Sequence, residues 1–171
     1  MVRSAWLYGT TGRNFVRTMI RLAGERPTLD VVDDQRGQPT WTADLADFLV
    51  RLAQSDLPPG VYHGTSAGET TWCGFAKEIF TLLGADADRV RPVPSAAYAS
   101  PARRPANSLL ANTRWEPIRH WREALHAAWP LLTGDPSGKA DSAKPDPREA
   151  GLTKPDPREA GLAKGPQCSV A

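Results

Sequence analysis

The thirteen aromatic residues of this 171-residue chain all lie at or before Trp129. That boundary constrains the fold more than any other feature, because only the part before it can build an aromatic core. Residues 1–133 hold fourteen arginines and one lysine, Lys77. Residues 134–171 hold two arginines, four lysines, six acidic residues and six of the sixteen prolines. That second segment repeats itself, with KPDPREAGLT at 144–153 followed by KPDPREAGLA at 154–163. Without large apolar groups it cannot offset its ordering entropy by burial, so 134–171 is expected to be a disordered, Pro-rich tail. Two polar copies are too few for a solenoid. The repeat suits a short binding motif shown twice or an expansion without a role. The final Cys-Ser-Val-Ala fits a prenylation signal only loosely, and coincidence is the better reading.

Net charge and cysteines narrow the function classes. A formal charge of +2 is too small for a nucleic-acid clamp, and no apolar run approaches the roughly 20 residues of a membrane span. Cys73 and Cys168 alone can build neither a disulfide framework nor a four-cysteine zinc site. A cytoplasmic protein with no membrane or nucleic-acid partner is the expectation.

The body, 1–133, alternates strand and helix patterns, which predicts an α/β fold. Strands are expected over 2–8, 28–33, 61–63 and 89–93. Helices are expected over 13–23, 43–54, 71–83 and 118–132. Their inward faces would be Phe15, Met19, Leu22 and Ala23; Leu45, Leu49, Leu52 and Ala53; Trp72, Phe75, Ile79 and Leu82; and Trp121, Leu125, Ala128 and Leu132. Thr42 is the expected cap of the second helix. Residues 33–40 read as a polar loop, and 95–105 as irregular.

Several kinds of chemistry are missing. Gly9-Thr10-Thr11-Gly12 approaches a dinucleotide-binding turn, but Phe15 stands where a third glycine belongs. No Gly-Lys-Ser/Thr loop exists. No tyrosine is followed four residues later by lysine, the pair that protonates a carbonyl during hydride transfer in short-chain dehydrogenases. His63, His120 and His126 have no metal-ligand spacing, and Ser66 lies in no nucleophile elbow. Cys73, early in a helix, reads as a small packing residue rather than an activated thiol.

Three clusters remain. Trp6, at a strand end beside a glycine turn and near Asn14, suits stacking on a base or sugar, although composition alone favours a core role. Val32 to Thr40 offers polar groups to a hydroxyl-rich ligand or to water. Pro101 to Ser108 holds Arg103 and Arg104 in a rigid loop suited to phosphate or to carboxylates.

In this order the clusters resemble a family. R-S-A-W-L-Y-G with N-F, V-D-D-Q-x-G-x-P-T with D-L-A, G-V-Y-H, P-A-x-R-P-x-x-S-x-L and W-x-x-A-L run from about Val2 to Leu132. They are similar to the C-terminal half of dTDP-4-dehydrorhamnose reductase, an extended short-chain dehydrogenase/reductase. Ala111 departs from the pattern, where the family often has Asp. The resemblance implies an incomplete Rossmann-type fold with the substrate-binding half at 1–133. It implies a complete enzyme that reduces dTDP-4-dehydro-L-rhamnose to dTDP-L-rhamnose with NADPH or NADH. Trp6 would contact the sugar, Asn14, Gln35 and Thr40 would bind substrate, and Arg104 would neutralise the pyrophosphate. Neither catalytic nor cofactor-binding residues, nor metal ligands, are expected in this chain. It is expected to lack the cofactor half, to bind no cofactor alone, and to be inactive unless a separate Rossmann half joins it. Its first strand would then lack its expected neighbours, and exposed edges invite aggregation. The alternatives are a non-catalytic nucleotide-sugar-binding or regulatory module, as in the regulatory subunit of methionine adenosyltransferase, and an inert gene remnant.

Overall fold

A computed structural model of the chain describes residues 1–98 and 104–134. Apart from Gly134, the expected tail lies outside the described residues, as does Arg103. The chain opens with β1 (Val2–Arg3) and β2 (Leu7–Tyr8), then α1 (Phe15–Glu25), β3 (Leu29–Val32), β4 (Arg36–Gly37) and β5 (Thr40–Trp41). Next come α2 (Thr42–Ala53), β6 (Tyr62–His63), β7 (Ser66–Ala67), β8 (Thr70–Thr71) and α3 (Trp72–Leu82). After a 3₁₀ turn at Ala87–Arg89 follow β9 (Val90–Val93), a second such turn at Ser95–Ala97, β10 (Ile118–His120) and α4 (Trp121–Thr133).

The strands form five two-stranded pairs. β1 with β6, β2 with β5, β3 with β9 and β7 with β10 are parallel, as crossovers through helices require. β4 with β8 is antiparallel. The longest register runs from Leu29 opposite Val90 to Val32 opposite Val93. These pairs and the flanking helices make a mixed α/β fold.

Helix ends follow local chemistry. Asn14 caps α1 by accepting from the Arg17 amide at 3.2 Å, and Pro27 stops the helix soon after Glu25. Thr71 caps α3 by accepting from the Gly74 amide at 2.9 Å. The core joins Val16, Met19 and Leu22 of α1 to Phe75, Ile79 and Phe80 of α3 and to Trp121, Leu125 and Ala128 of α4. Each of these side chains other than that of Ala128 contributes about 1.5–3 kcal/mol by leaving water.

Five details differ from the sequence expectations. The strand expected over 2–8 breaks between β1 and β2, because Trp6 takes a left-handed backbone (φ 48°). The loop expected over 33–40 contains β4 and the start of β5. The helix expected over 118–132 begins only at Trp121, with β10 at Ile118–His120 before it. The residue capping α2 is Trp41, not Thr42, and no side chain bonds there. The buried face of α2 is Asp44 and Phe48, while Leu49 stays 41% exposed. The neighbouring stripe wins because the segment before α4 lies against it. The Trp115 ring packs 5.0 Å from that of Phe48, and Arg119 pairs with Asp44.

Candidate functional site

The three polar and aromatic clusters, far apart in sequence, meet in space. Trp6 is half-buried, and its indole stacks on that of Trp72 with centroids 3.6 Å apart and planes 9° from parallel. Phe15 leans on the other partner of that stack, 4.7 Å from Trp72. The Nε1–Cε2 edge of Trp6 lies over Gly37, where any Cβ would overlap the ring. Glycine at 37 is therefore what lets the second cluster reach the first.

The third cluster is tied to the second by backbone. The Arg36 amide donates to the Ala106 carbonyl at 2.8 Å. The Arg36 carbonyl accepts from the Ser108 amide at 3.0 Å and from its hydroxyl at 2.9 Å. Arg36 also pairs with Glu69, in the turn between β7 and β8. The segment that carries Gln35 and the loop that carries Arg104 are thus held side by side. Arg104 is exposed and makes no ion pair among the described residues. Gln35 is half-buried, and its amide has no hydrogen bond among the described residues.

Asn14 and Thr40 stand differently. The Asn14 amide donates to the Gly9 carbonyl at 2.9 Å while its oxygen caps α1, so its polar atoms hold the glycine turn. Thr40 is fully buried. Its hydroxyl donates to the Gln38 carbonyl at 3.2 Å and accepts from the Ser66 amide at 3.3 Å. It lies beneath the candidate surface rather than on it. Gln38 is likewise spent internally, donating to the Ser66 carbonyl and accepting from the Leu110 amide.

Trp72 and Glu69 escaped the sequence reading. Trp72 falls on the apolar stripe of α3, so periodicity assigns it to the core; only the fold reveals that its outer face receives Trp6. Cys73 is buried, and its thiol is pushed up by that burial and then by Asp33, with Lys77 opposing. It is a packing residue, not a nucleophile.

Chemically, the surface offers an indole, an amide and a guanidinium, the groups that suit a sugar ring, its hydroxyls and a pyrophosphate. Among the described residues it presents no tyrosine–lysine acid–base pair. The residues here do not fit a dinucleotide either. Phe15 fills the third-glycine place, a Cβ on Gly9 would sit 2.5 Å from the Thr42 hydroxyl rather than facing open space, and Asn14 already occupies the start of α1.

Comparison with known proteins identifies the family. The family described as the RmlD substrate binding domain matches residues 1–132. The chain is 52% identical over 157 residues to a dTDP-4-dehydrorhamnose reductase of Streptomyces griseus, covering 86% of this chain and 50% of that protein. It is 54% identical over 142 residues to a dTDP-4-keto-6-deoxy-D-glucose reductase of Streptomyces niveus, covering 80% and 49%. Among solved structures, a dTDP-4-dehydrorhamnose reductase of Bacillus anthracis in complex with NADP superposes with a TM-score of 0.69 at 36% identity. That match covers 75% of this chain and 47% of the other. A Clostridium acetobutylicum orthologue gives 0.70 at 40% identity, covering 77% and 48%. The chain spans about half the length of the curated relatives it matches. By sequence and by fold, the chain belongs to the RmlD substrate binding domain family.

Proposed function

We propose that the chain recognises a dTDP-linked 4-keto-6-deoxy sugar and, joined to a separate cofactor-binding half, presents it for reduction by NADPH or NADH. The observation that carries this reading is the convergence of Trp6, Gln35 and the Arg104 loop on one surface, locked by Gly37 and the Arg36 backbone bonds. Trp6 supplies an apolar ring face for the sugar, Gln35 an amide for its hydroxyls, and Arg104 a fork of donors for the pyrophosphate. Asn14 and Thr40 act indirectly, by holding the glycine turn and the floor beneath Trp6. The product class, a dTDP-6-deoxyhexose, is a precursor of surface polysaccharide, and such sugar nucleotides are made in the cytoplasm, where we place this chain.

A second reading is favoured by one feature. The chain contains neither a Tyr-x-x-x-Lys pair nor a fitting dinucleotide turn, so alone it binds without turning over. Calorimetry with dTDP-rhamnose on the isolated chain tests recognition. Saturable binding is expected, and Arg104→Ala should weaken it about tenfold or more, the worth of a charge-assisted bidentate bond. Absence of binding would sink the proposal. NADPH oxidation with the keto sugar nucleotide tests the second point, and turnover well above background by the isolated chain would refute it.

A further inference from the structure

Most arginines whose contacts the structure shows have a carboxylate. Arg36 pairs with Glu69, Arg51 with Glu116, Arg91 with Asp30, Arg119 with Asp44 and Arg122 with Glu78. Arg3 and Arg114 do not; among the described residues neither makes an ion pair. Both line one cavity of about 410 Å³ together with His63, and no acidic residue lines it.

The cavity sits at the β1–β6 pair, where Arg3 lies directly opposite His63. Two of its polar side chains are held in place. The His63 Nδ1 donates to the Ala111 carbonyl at 2.8 Å, which leaves Nε2 as the free ring nitrogen. The Arg114 guanidinium lies over the Tyr62 ring, 4.7 Å from its centroid, and donates one N–H to the Val61 carbonyl at 3.4 Å. Its other donors remain available, as does the whole guanidinium of Arg3. Val61, Ala111 and Thr113 complete the lining with methyl groups and one hydroxyl. Two guanidiniums lining one cavity without a counter-charge repel each other, and an oxyanion in that cavity would remove the repulsion while accepting forked hydrogen bonds.

From this we infer that the cavity bounded by Arg3, His63 and Arg114 is an oxyanion site, for a carboxylate or a phosphate group. It is built from residues other than Trp6, Gln35 and Arg104, and it does not depend on the sugar-nucleotide reading. Arg3 and Arg114 grip the anion, and the methyl groups accommodate a short apolar stem.

The test uses the full 171-residue chain. Thermal melts and calorimetry are run with inorganic phosphate and with malonate, against chloride at constant ionic strength. Saturable stabilisation above chloride is expected from at least one of them. A response to phosphate alone assigns a phosphoryl ligand, one to malonate alone a carboxylate, and one to both a general oxyanion site. Arg3→Gln and Arg114→Gln should each weaken the affinity about tenfold or more. Ala111→Asp puts a tethered carboxylate into the same cavity; it should abolish the response and raise the melting temperature without added anion. If Arg114→Gln fails to fold for want of its Tyr62 contact, Arg3→Gln and Ala111→Asp decide. A response no greater than chloride, or one undiminished in Arg3→Gln and Ala111→Asp, overturns the assignment.

Discussion

Trp6 carries more structural consequence than its neighbours, because its left-handed backbone, its stack on Trp72 and its cover over Gly37 are one arrangement. A bulky residue in that region costs roughly 1–2 kcal/mol of backbone strain, which the stack and the burial of the indole must offset. Gly37→Ala should break the arrangement, since the new methyl overlaps the indole and no backbone shift is free. A loss of about 1–3 kcal/mol in urea unfolding is expected, with weaker sugar-nucleotide binding. Trp72→Ala removes the partner face and should weaken the same binding, although Trp72 carries no polar group for substrate. A Trp72→Ala variant with unchanged affinity would show that the stack is packing alone. The sequence made Trp6, Gln35 and Arg104 legible, because indole, amide and guanidinium announce their chemistry at any position. It could not make Trp72 or the burial of Thr40 legible. A tryptophan on an apolar helix stripe reads as core, and the depth of a threonine depends on the Gln38 and Ser66 segments that close over it.

Among the elements, α3 and α4 are clamped by Glu78, which accepts from Arg122 Nε at 2.9 Å and lies 2.7 Å from His126 Nε2. Burial pushes the Glu78 carboxyl up, but hydrogen bonds from His126 and Arg122, and their charges, hold it net below its usual range. A carboxyl depressed in the folded state stabilises above its unfolded value, about 4.3, and loses that contribution as pH falls through the folded value. Melting temperature should therefore drop on acidification below about pH 4.3, and Glu78→Gln should show a shallower drop over the same window. Equal slopes would remove Glu78 from the acid limb. The Asp44–Arg119 pair ties α2 to β10 in the same manner. Asp44 has only 6% of its side chain exposed, so Arg119→Ala leaves a buried carboxylate without its partner. A cost of about 1–3 kcal/mol is expected in denaturant unfolding. The faces of α1, α3 and α4 were legible because their apolar stripes are unambiguous. That of α2 was not. Its leucine stripe is the more apolar one, yet Trp115 and Arg119 select the adjacent Asp44–Phe48 stripe, and nothing in the local sequence records that choice.

At the scale of the molecule, parallel pairing and the helix order made the α/β class legible, while the division into five two-stranded pairs was not. Pairing depends on which short segments meet, and six of the ten strands pair in parallel through only two residue pairs, too few to leave a period. Among the described residues β1 pairs with β6 alone, and Leu49 and Val50 stand 41% and 55% exposed on α2. Such apolar exposure and short edges favour self-association. Val50→Lys should raise the soluble monomer fraction in size-exclusion chromatography with little change in melting temperature; an unchanged elution profile would remove α2 as the source. All six tryptophans lie within the described residues, but only Trp6 and Trp72 are parallel and in van der Waals contact. Two indoles in such contact share their excited state, so part of the whole molecule's tryptophan emission originates in the candidate site. The chain thus contains its own optical reporter: a ligand that displaces Trp6 changes that emission, and no label is needed to see it.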